Sequence, residues 1–293
     1  MSKIQKALER AQRERNREPQ RDFRLFPEVA EEKKESREEA LVPRAPRVLE
    51  GIASDQKLVA FYDPGSLASE QFRKLRTQLL RLRLARPPRT ILVTSATAGE
   101  GKTLVSANLA AGIAYDLNAY ALLVECDLRK PSLGQWFSLN NGYGLTDYLN
   151  GKKEIPELLL RTEVEKLKVL LAGTQPDNPT ELIGSKKMEA LIQELKSRYN
   201  DRYIILDSTP LLVTAEPEVL SRFVDGVLIV VRAGLNPRET VQQAISSLEK
   251  EKILGFVLND LQFKAVGLHS RYFGSDGYYY RYPYGTRRKQ KEK

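Results

Sequence analysis

The sequence predicts an α/β fold in which helices cover both faces of a mostly parallel sheet, giving a three-layer sandwich. Six apolar segments of strand length alternate with helical patterns between residues 58 and 263. Segments such as 204–206 and 227–231 are apolar at every position, which is typical of strands buried on both faces. The predicted strands are 90–95, 121–125, 169–172, 203–207, 226–232 and 254–259.

Helical patterns precede and separate these strands. The motif Asp-Pro-Gly-Ser at 63–66 is a helix-start signal, and the helix is expected to run to about residue 84. Its apolar residues recur at helical spacing and predict a buried stripe of Phe72, Leu75, Leu79 and Leu82. Further helices are predicted near 102–115, 185–199 and 237–250.

The two ends of the chain differ in composition from this central part. Residues 1–57 begin with a short amphipathic pattern and continue into segment 31–39, which is almost entirely charged. This composition favours a disordered linker over a packed core. The sequence therefore predicts an N-terminal helix and disordered linker at 1–57, one domain at 58–263 and a flexible, basic, tyrosine-rich tail at 264–293.

The composition limits the classes to which the chain can belong. A single cysteine, Cys126, cannot form a disulfide within the chain, and with one histidine, His269, a His/Cys metal site is not expected. No apolar run approaches the roughly 18–20 residues of a membrane-spanning helix. The charged N-terminus also lacks the apolar centre of a signal peptide. These features predict a cytoplasmic protein.

The net charge of +9 is concentrated near the C-terminus, where residues 271–293 contain seven Lys and Arg against two acidic residues. A basic tail favours contact with an anionic membrane face, a phosphate group or an acidic partner over a nucleic-acid-binding domain. A tail that is simply solvated explains the charge about equally well.

A phosphate-binding loop follows the first predicted strand. Residues 96–103 read Ala-Thr-Ala-Gly-Glu-Gly-Lys-Thr and open a predicted helix, which is a Walker A pattern with alanine at its first position. Gly99 and Gly101 allow backbone amides to turn inward around phosphate oxygens, and the helix N-terminus adds its positive dipole end. Lys102 can reach the β- and γ-phosphates, while the Thr103 hydroxyl can ligate Mg²⁺.

Acidic residues follow two further strands where they end. Glu125 and Asp127 lie at the end of the second strand, and Asp207 ends a strand of the Walker B type. Because ligands of open α/β sheets bind at the carboxyl ends of the strands, these carboxylates are expected beside the P-loop. There Asp127 and Asp207, together with Thr103, would hold Mg²⁺. The sequence thus predicts a P-loop NTPase fold that binds ATP and Mg²⁺.

Together these motifs resemble those of the bacterial tyrosine kinases of capsule and exopolysaccharide synthesis, the BY-kinases. The resemblance covers about residues 55–285 and rests on the P-loop at 99–103, a second acidic motif (Walker A′) at 127–131 and segment 172–182. A C-terminal tyrosine cluster completes it. The resemblance implies a protein-tyrosine kinase that uses ATP and Mg²⁺ to phosphorylate itself and thereby regulates polysaccharide polymerisation and export.

The resemblance also assigns roles to individual residues. It implies that Lys102, Glu125 and Asp127 are catalytic, with Glu125 at a position where the family usually has the aspartate that accepts the tyrosine proton. Asn259 matches the family asparagine that binds adenine, although a cap at the strand end explains it nearly as well. The implied nucleotide-binding residues are Gly99, Glu100, Gly101, Lys102, Thr103, Leu104 and Asn259.

A charged motif on the first predicted helix resembles the family's Glu-x-x-Arg-x-x-Arg, which lies at subunit contacts and assembles a ring. Here it consists of Glu70, Arg73 and Arg76, which fall beside the buried stripe and could pair across an interface. The alternative is a solvated i,i+3 ion pair, worth only about 0.2–0.5 kcal/mol. The resemblance favours a homo-oligomeric ring.

Six of the chain's 13 tyrosines lie between residues 272 and 284. They are Tyr272, Tyr278, Tyr279, Tyr280, Tyr282 and Tyr284. Following a kinase core, they are predicted to be phospho-acceptors that one subunit presents to its neighbour. Packing against the core and stacking on nucleic-acid bases are the alternatives, but no nucleic-acid partner is expected. Each phosphorylation adds about −1.5 to −2 charges and would loosen a ring.

The resemblance implies partners as well. A transmembrane chain-length regulator of polysaccharide synthesis would activate the kinase and hold it at the inner face of the membrane. A cognate tyrosine phosphatase is compatible with the same system.

Two alternative functions stay open. A partitioning or cell-positioning ATPase of the ParA/MinD class shares the fold, but it carries a signature lysine where this chain has Thr97. A catalytically weak scaffold of polysaccharide export is the second, and Glu125 is the residue that favours it.

Overall fold

The computed structural model describes residues 58–82, 87–140, 142–198 and 201–260. A sheet of seven strands in the order β3-β4-β2-β5-β1-β6-β7 forms the centre of this part of the chain. The strands are β1 (Thr90–Ser95), β2 (Tyr120–Glu125), β3 (Leu159–Arg161), β4 (Leu167–Leu170), β5 (Arg202–Asp207), β6 (Gly226–Arg232) and β7 (Ile253–Asn259). The pairings are parallel except that of β3 with β4, which confirms the mostly parallel sheet.

Helices lie between and around the strands. They are α1 (Val59–Tyr62), α2 (Leu67–Leu80), α3 (Lys102–Ala114), α4 (Leu133–Trp136), α5 (Leu145–Leu149), α6 (Ile155–Leu158), α7 (Pro179–Ile183), α8 (Lys186–Arg198), α9 (Glu216–Phe223) and α10 (Arg238–Ile245), followed by a 3₁₀ turn at Lys250–Lys252. The Ser66 hydroxyl caps α2 by accepting a hydrogen bond from the Ser69 amide at 3.1 Å, as the helix-start signal predicts.

The core lies on both faces of the sheet. Ile91 and Val93 of β1 are buried in one cluster with α3, which is almost wholly buried, and with Leu79 of α2. The alternate residue Leu92 is equally buried and points to the opposite face, where α8 and α9 contact β5 and β1. Helices therefore cover both faces, and the three-layer prediction is confirmed.

Some predicted boundaries were wrong for local reasons. Predicted helix 237–250 ends at Ile245, where Ser246 donates its hydroxyl to the Gln243 carbonyl and so competes with the helical pattern. Predicted strand 169–172 lies at Leu167–Leu170, because the Ala172 amide leaves the ladder and donates to a side chain of β2. Strand β3 was missed, since three residues carry no periodicity.

Other predictions fall outside the described residues. These are the helix and linker at 1–57 and the tail at 264–293 with its six tyrosines. Within the ranges that the structure describes, no helix is both long enough and apolar enough to cross a membrane.

Candidate functional site

The loop between β1 and α3 has the backbone shape that binds phosphate. Gly99 and Gly101 have positive φ angles of 80° and 94°, which residues other than glycine rarely adopt. A Cβ added at Gly101 would lie 2.1 Å from the side-chain Nδ2 of Asn259, so a larger residue there would also displace the Asn259 side chain. The loop leads directly into the N-terminus of α3, whose first amides are available to an anion.

Glu100 braces this loop from inside the protein. Its fully buried carboxylate accepts hydrogen bonds from the Thr97 amide at 2.6 Å and the Asn236 side chain at 3.1 Å. Its second oxygen accepts one from the Arg232 amide at 3.2 Å. Because the side chain is turned inward, Glu100 can meet a nucleotide only through its backbone.

Two more predicted nucleotide contacts have structural partners. The Asn259 side chain donates to the Glu100 carbonyl at 2.9 Å, which joins the end of β7 to the P-loop. Its predicted contact with adenine stays a prediction. Leu104 packs against the apolar core. Thr97, at the signature-lysine position of positioning ATPases, also belongs to the brace, since the Asn236 side chain donates to its hydroxyl at 2.7 Å.

Lys102 is the cation at the centre of the site. It begins α3 and is only 9% exposed. Burial lowers the pKa of its ammonium group below the usual value, while the nearby carboxylates of Asp207, Asp127 and Glu100 act in the opposite direction. A buried ammonium among carboxylates at a phosphate-binding loop is suited to pairing with phosphate oxygens.

The Asp207 carboxylate orients two hydroxyl groups of α3. Its carboxylate accepts hydrogen bonds from Thr103 Oγ1 at 2.8 Å and from Ser106 Oγ at 2.9 Å. Burial raises the pKa of this 1% exposed carboxyl to about 7, although both hydroxyls and Lys102 oppose the rise. Ser106 was not among the predicted site residues, although it lies one helical turn after Thr103 on the same face of α3.

Asp127 stands next to this group but is less buried. It follows β2, whose last residue pairs in register with Asp207 of β5, so both aspartates lie at one edge of the sheet. Asp127 is half-buried, and its Oδ1 accepts a hydrogen bond from the Lys130 amide at 2.9 Å. It is close enough to Lys102 to influence that residue's pKa.

Glu125 has a different environment from the one expected of a proton acceptor. Its Oε1 accepts hydrogen bonds from the amides of Ser132 at 2.5 Å and Leu133 at 2.7 Å. Its Oε2 accepts one from the Ala172 amide at 3.0 Å, and the residue is only 2% exposed. Burial raises the pKa of this carboxyl, while these three amides lower it. Glu125 therefore ties the chain that follows β2 to the chain that follows β4, and its catalytic role stays a prediction.

The predicted oligomerisation residues have contacts within the protomer. Glu70 and Arg73 form an ion pair at 2.8 Å, with 48% and 46% of their side chains exposed. Arg73 also donates to the Pro64 carbonyl, and Arg76 donates to the Gly112 carbonyl of α3 at 3.0 Å. A subunit interface would have to compete with these bonds or use the exposed parts of the same side chains, so the ring stays a prediction.

The residues at the sheet edge fit Mg²⁺ and a nucleoside triphosphate. Thr103, Asp127 and Asp207 offer only oxygen ligands, which Mg²⁺ prefers. A divalent cation bound here would stabilise the charged form of the buried Asp207 carboxylate and so offset the effect of burial. The P-loop amides and Lys102 complete a cradle for phosphates.

Comparisons with known proteins show the family of the chain. No protein-family model matches the sequence. The chain is 34% identical over 231 residues to the tyrosine-protein kinase YwqD of Bacillus subtilis, covering 78% of this chain and 93% of that protein. It is 31% identical over 244 residues to the tyrosine-protein kinase Wzc of Salmonella typhi, covering 81% of this chain but 32% of that longer protein.

A solved structure agrees with these relatives. The kinase domain of the Escherichia coli tyrosine kinase Etk matches with a TM-score of 0.67 and 31% identity, over 71% of this chain and 81% of that one. Since a relative that is more than 30% identical is matched over more than two thirds of both chains, the chain belongs to the family of bacterial tyrosine-protein kinases.

Proposed function

We propose that this chain is an autokinase that transfers the γ-phosphoryl group of ATP to tyrosines of its own C-terminal cluster, between subunits of a homo-oligomer. The observation that carries the proposal is the convergence of Lys102, Asp127 and Asp207 at one edge of the sheet. This site belongs to a chain whose last 22 residues begin with Tyr272 and hold six tyrosines. A tethered acceptor gains effective concentration, which favours the tail over other substrates.

The chemistry follows from the geometry. The tyrosine oxygen forms a bond to the γ-phosphorus, the bond to the β-phosphate oxygen breaks, and ADP is the leaving group. Lys102 and the P-loop amides stabilise the charge on the phosphates. Thr103, Asp207 and Asp127 would hold Mg²⁺, which would supply positive charge to offset that of the phosphates.

In this proposal the tyrosine proton goes to the carboxylate oxygen of Asp127 that does not ligate Mg²⁺. Asp127 is half-buried at the edge of the site, whereas Glu125 is buried and engaged by three backbone amides. A general base must come within hydrogen-bond reach of the hydroxyl, and Asp127 is the better placed of the two. Glu125 then acts as a brace that fixes the loop after β2.

A role in the cell follows by extension. The resemblance to kinases of capsule and exopolysaccharide synthesis supports regulation of polysaccharide polymerisation and export. A transmembrane chain-length regulator is the partner that we expect to activate the kinase at the membrane, and a tyrosine phosphatase would reverse the modification.

Mixing two variants, neither of which can phosphorylate its own tail, tests transfer between subunits. One variant carries Lys102→Met with an intact tail, and the other has an intact site with all six tail tyrosines, Tyr272 to Tyr284, changed to phenylalanine. Phosphotyrosine is expected on the Lys102→Met chain after Mg²⁺ and ATP are added to the mixture. The Lys102→Met chain incubated alone is the control. Absence of phosphotyrosine in the mixture, while the wild-type chain labels itself, would refute transfer between subunits.

A further inference from the structure

Three loops at the carboxyl edge of the sheet meet at one polar cluster that the nucleotide site does not include. Arg129 lies in the loop after β2, and Thr180 follows β4 as the second residue of α7. Glu216 follows β5 as the first residue of α9. We call these three residues the clamp. None was among the predicted site residues.

The clamp is a converging set of hydrogen bonds on one carboxylate oxygen. Glu216 Oε1 accepts from Arg129 Nε at 2.9 Å and from Thr180 Oγ1 at 2.9 Å. The Arg129 Nη2 lies 2.9 Å from the same oxygen and donates to Thr180 Oγ1 at 3.1 Å. Arginine suits this place because its planar guanidinium can contact both partners at once, which a lysine ammonium on a flexible stem does less well.

Burial makes the carboxylate the fixed member of the clamp. The Glu216 side chain is 2% exposed, whereas that of Arg129 is 46% exposed. Burial alone would raise the pKa of Glu216, but hydrogen bonds from Thr214, its own amide, Thr180 and Arg129 lower it below the usual value. Glu216 is thus a buried anion that holds the half-exposed arginine in place.

The held arginine belongs to the same turn as Asp127. Within this turn, Asp127 Oδ1 accepts from the Lys130 amide at 2.9 Å, and Leu128 is buried. The Arg129 carbonyl accepts from the Gln175 side chain at 3.3 Å. The turn is therefore fixed both by the Arg129 side chain and by the Arg129 carbonyl, and Asp127 has little room to shift relative to the P-loop.

We propose that Arg129, held by Glu216 and Thr180, is a positioning residue that sets Asp127 for phosphoryl transfer. The inference rests on the proposed tyrosine kinase activity and extends it to residues that touch neither nucleotide nor acceptor. Loosening the clamp moves Asp127 away from the tyrosine hydroxyl but leaves the P-loop and Lys102 unchanged. The catalytic rate constant falls as a result, while nucleotide binding is kept.

The test measures kcat and KM for ATP in tail phosphorylation by the full chain. Thr180→Val removes the bridging hydroxyl, and Thr180→Ser keeps it. We expect kcat to fall at least fivefold in Thr180→Val with KM for ATP within twofold of wild type, and to stay within twofold of wild type in Thr180→Ser. Thr180→Val opens no cavity but takes a hydrogen bond from the buried Glu216 carboxylate, so the thermal unfolding midpoint is measured to separate a loss of stability from a loss of rate.

A double-mutant cycle tests whether the clamp acts as a unit. Arg129→Lys and Glu216→Gln are each expected to lower kcat at least tenfold. The kcat of the double variant is expected to be no lower than that of the less active single variant. Glu218→Gln, on the same helix but in an exposed pair with Arg222, is the matched control and should keep the wild-type kcat.

Several outcomes would overturn the inference. It is refuted if Thr180→Val keeps the wild-type kcat, or if Thr180→Ser loses as much kcat as Thr180→Val. It is also refuted if the losses of kcat in the cycle are additive, or if the substitutions change only KM for ATP. If the wild-type chain itself forms no phosphotyrosine, the proposed function fails as well. If it does and the Thr180 variants match it, the clamp alone is refuted.

Discussion

Replacing Glu125 with glutamine is expected to destabilise the fold by about 2–4 kcal/mol, because its carboxylate accepts three buried backbone hydrogen bonds. In the better orientation, the new carbonyl oxygen replaces Oε1 and keeps the bonds from Ser132 and Leu133. The new NH₂ group then faces the Ala172 amide, so the bond is lost and two buried donors, this NH₂ group and the Ala172 N–H, are left unsatisfied, at about 1–3 kcal/mol each. Removal of the buried charge offsets part of this cost, because burial raises the pKa of the Glu125 carboxyl and so disfavours its charged form.

Denaturant unfolding of the full chain, followed by circular dichroism, measures this effect. Glu218→Gln is the matched control, since Glu218 is 42% exposed and pairs with Arg222 at 3.1 Å on the surface of α9. We expect the control to change the free energy of unfolding by less than about 0.5 kcal/mol. If Glu125→Gln unfolds like wild type yet no longer phosphorylates tyrosine, Glu125 is the proton acceptor and its assignment as a brace is wrong.

Other predictions concern the P-loop and the start of the sheet. Gly101→Ala is expected to weaken ATP binding by about 2 kcal/mol, or roughly thirtyfold, because alanine would have to adopt the positive φ of this position and would displace the Asn259 side chain. Calorimetric titration should show a smaller loss in Gly99→Ala, where an added Cβ meets nothing within 4 Å; equal losses would contradict the role of Asn259. Burial would raise the pKa of Asp225, but hydrogen bonds from Lys196 and from the amides at the start of β1 lower it. The charged Asp225 carboxylate therefore stabilises the fold above about pH 4, and this stabilisation is lost as the pH falls through the pKa of the folded state. Asp225→Asn should lower the free energy of unfolding at pH 7 by about 2 kcal/mol and make the urea midpoint fall less steeply than that of wild type between pH 5 and pH 3. Equally steep falls in the two proteins would refute this.

The sheet and the P-loop could be predicted because their signals are local. The strands at 90–95 and 226–232 were predicted to the residue, since runs of apolar residues bounded by polar ones specify a buried strand. The glycine spacing at 99–103 likewise reports a backbone shape, and both glycines have the positive φ that the motif requires.

The brace and the clamp could not be predicted, because their partners are distant in sequence. Glu125 meets the Ala172 amide 47 residues away, and Arg129 meets Glu216 87 residues away. Glu125 was predicted to be catalytic, because an acidic residue at a strand end gives no sign in the sequence of whether it faces solvent or backbone amides. Burial decides this, and burial depends on how the loops after β2, β4 and β5 pack together.

Mass spectrometry of the tail is the most direct test of the central claim. The full chain is incubated at high concentration with Mg²⁺ and ATP, with and without a cytosolic segment of a chain-length regulator, beside a Lys102→Met control. The expected result is phosphate on tyrosines between Tyr272 and Tyr284 in the wild-type chain and none in the control. ATP hydrolysis with an unmodified tail, or equal modification in Lys102→Met, would contradict the assignment of this site as a tyrosine autokinase.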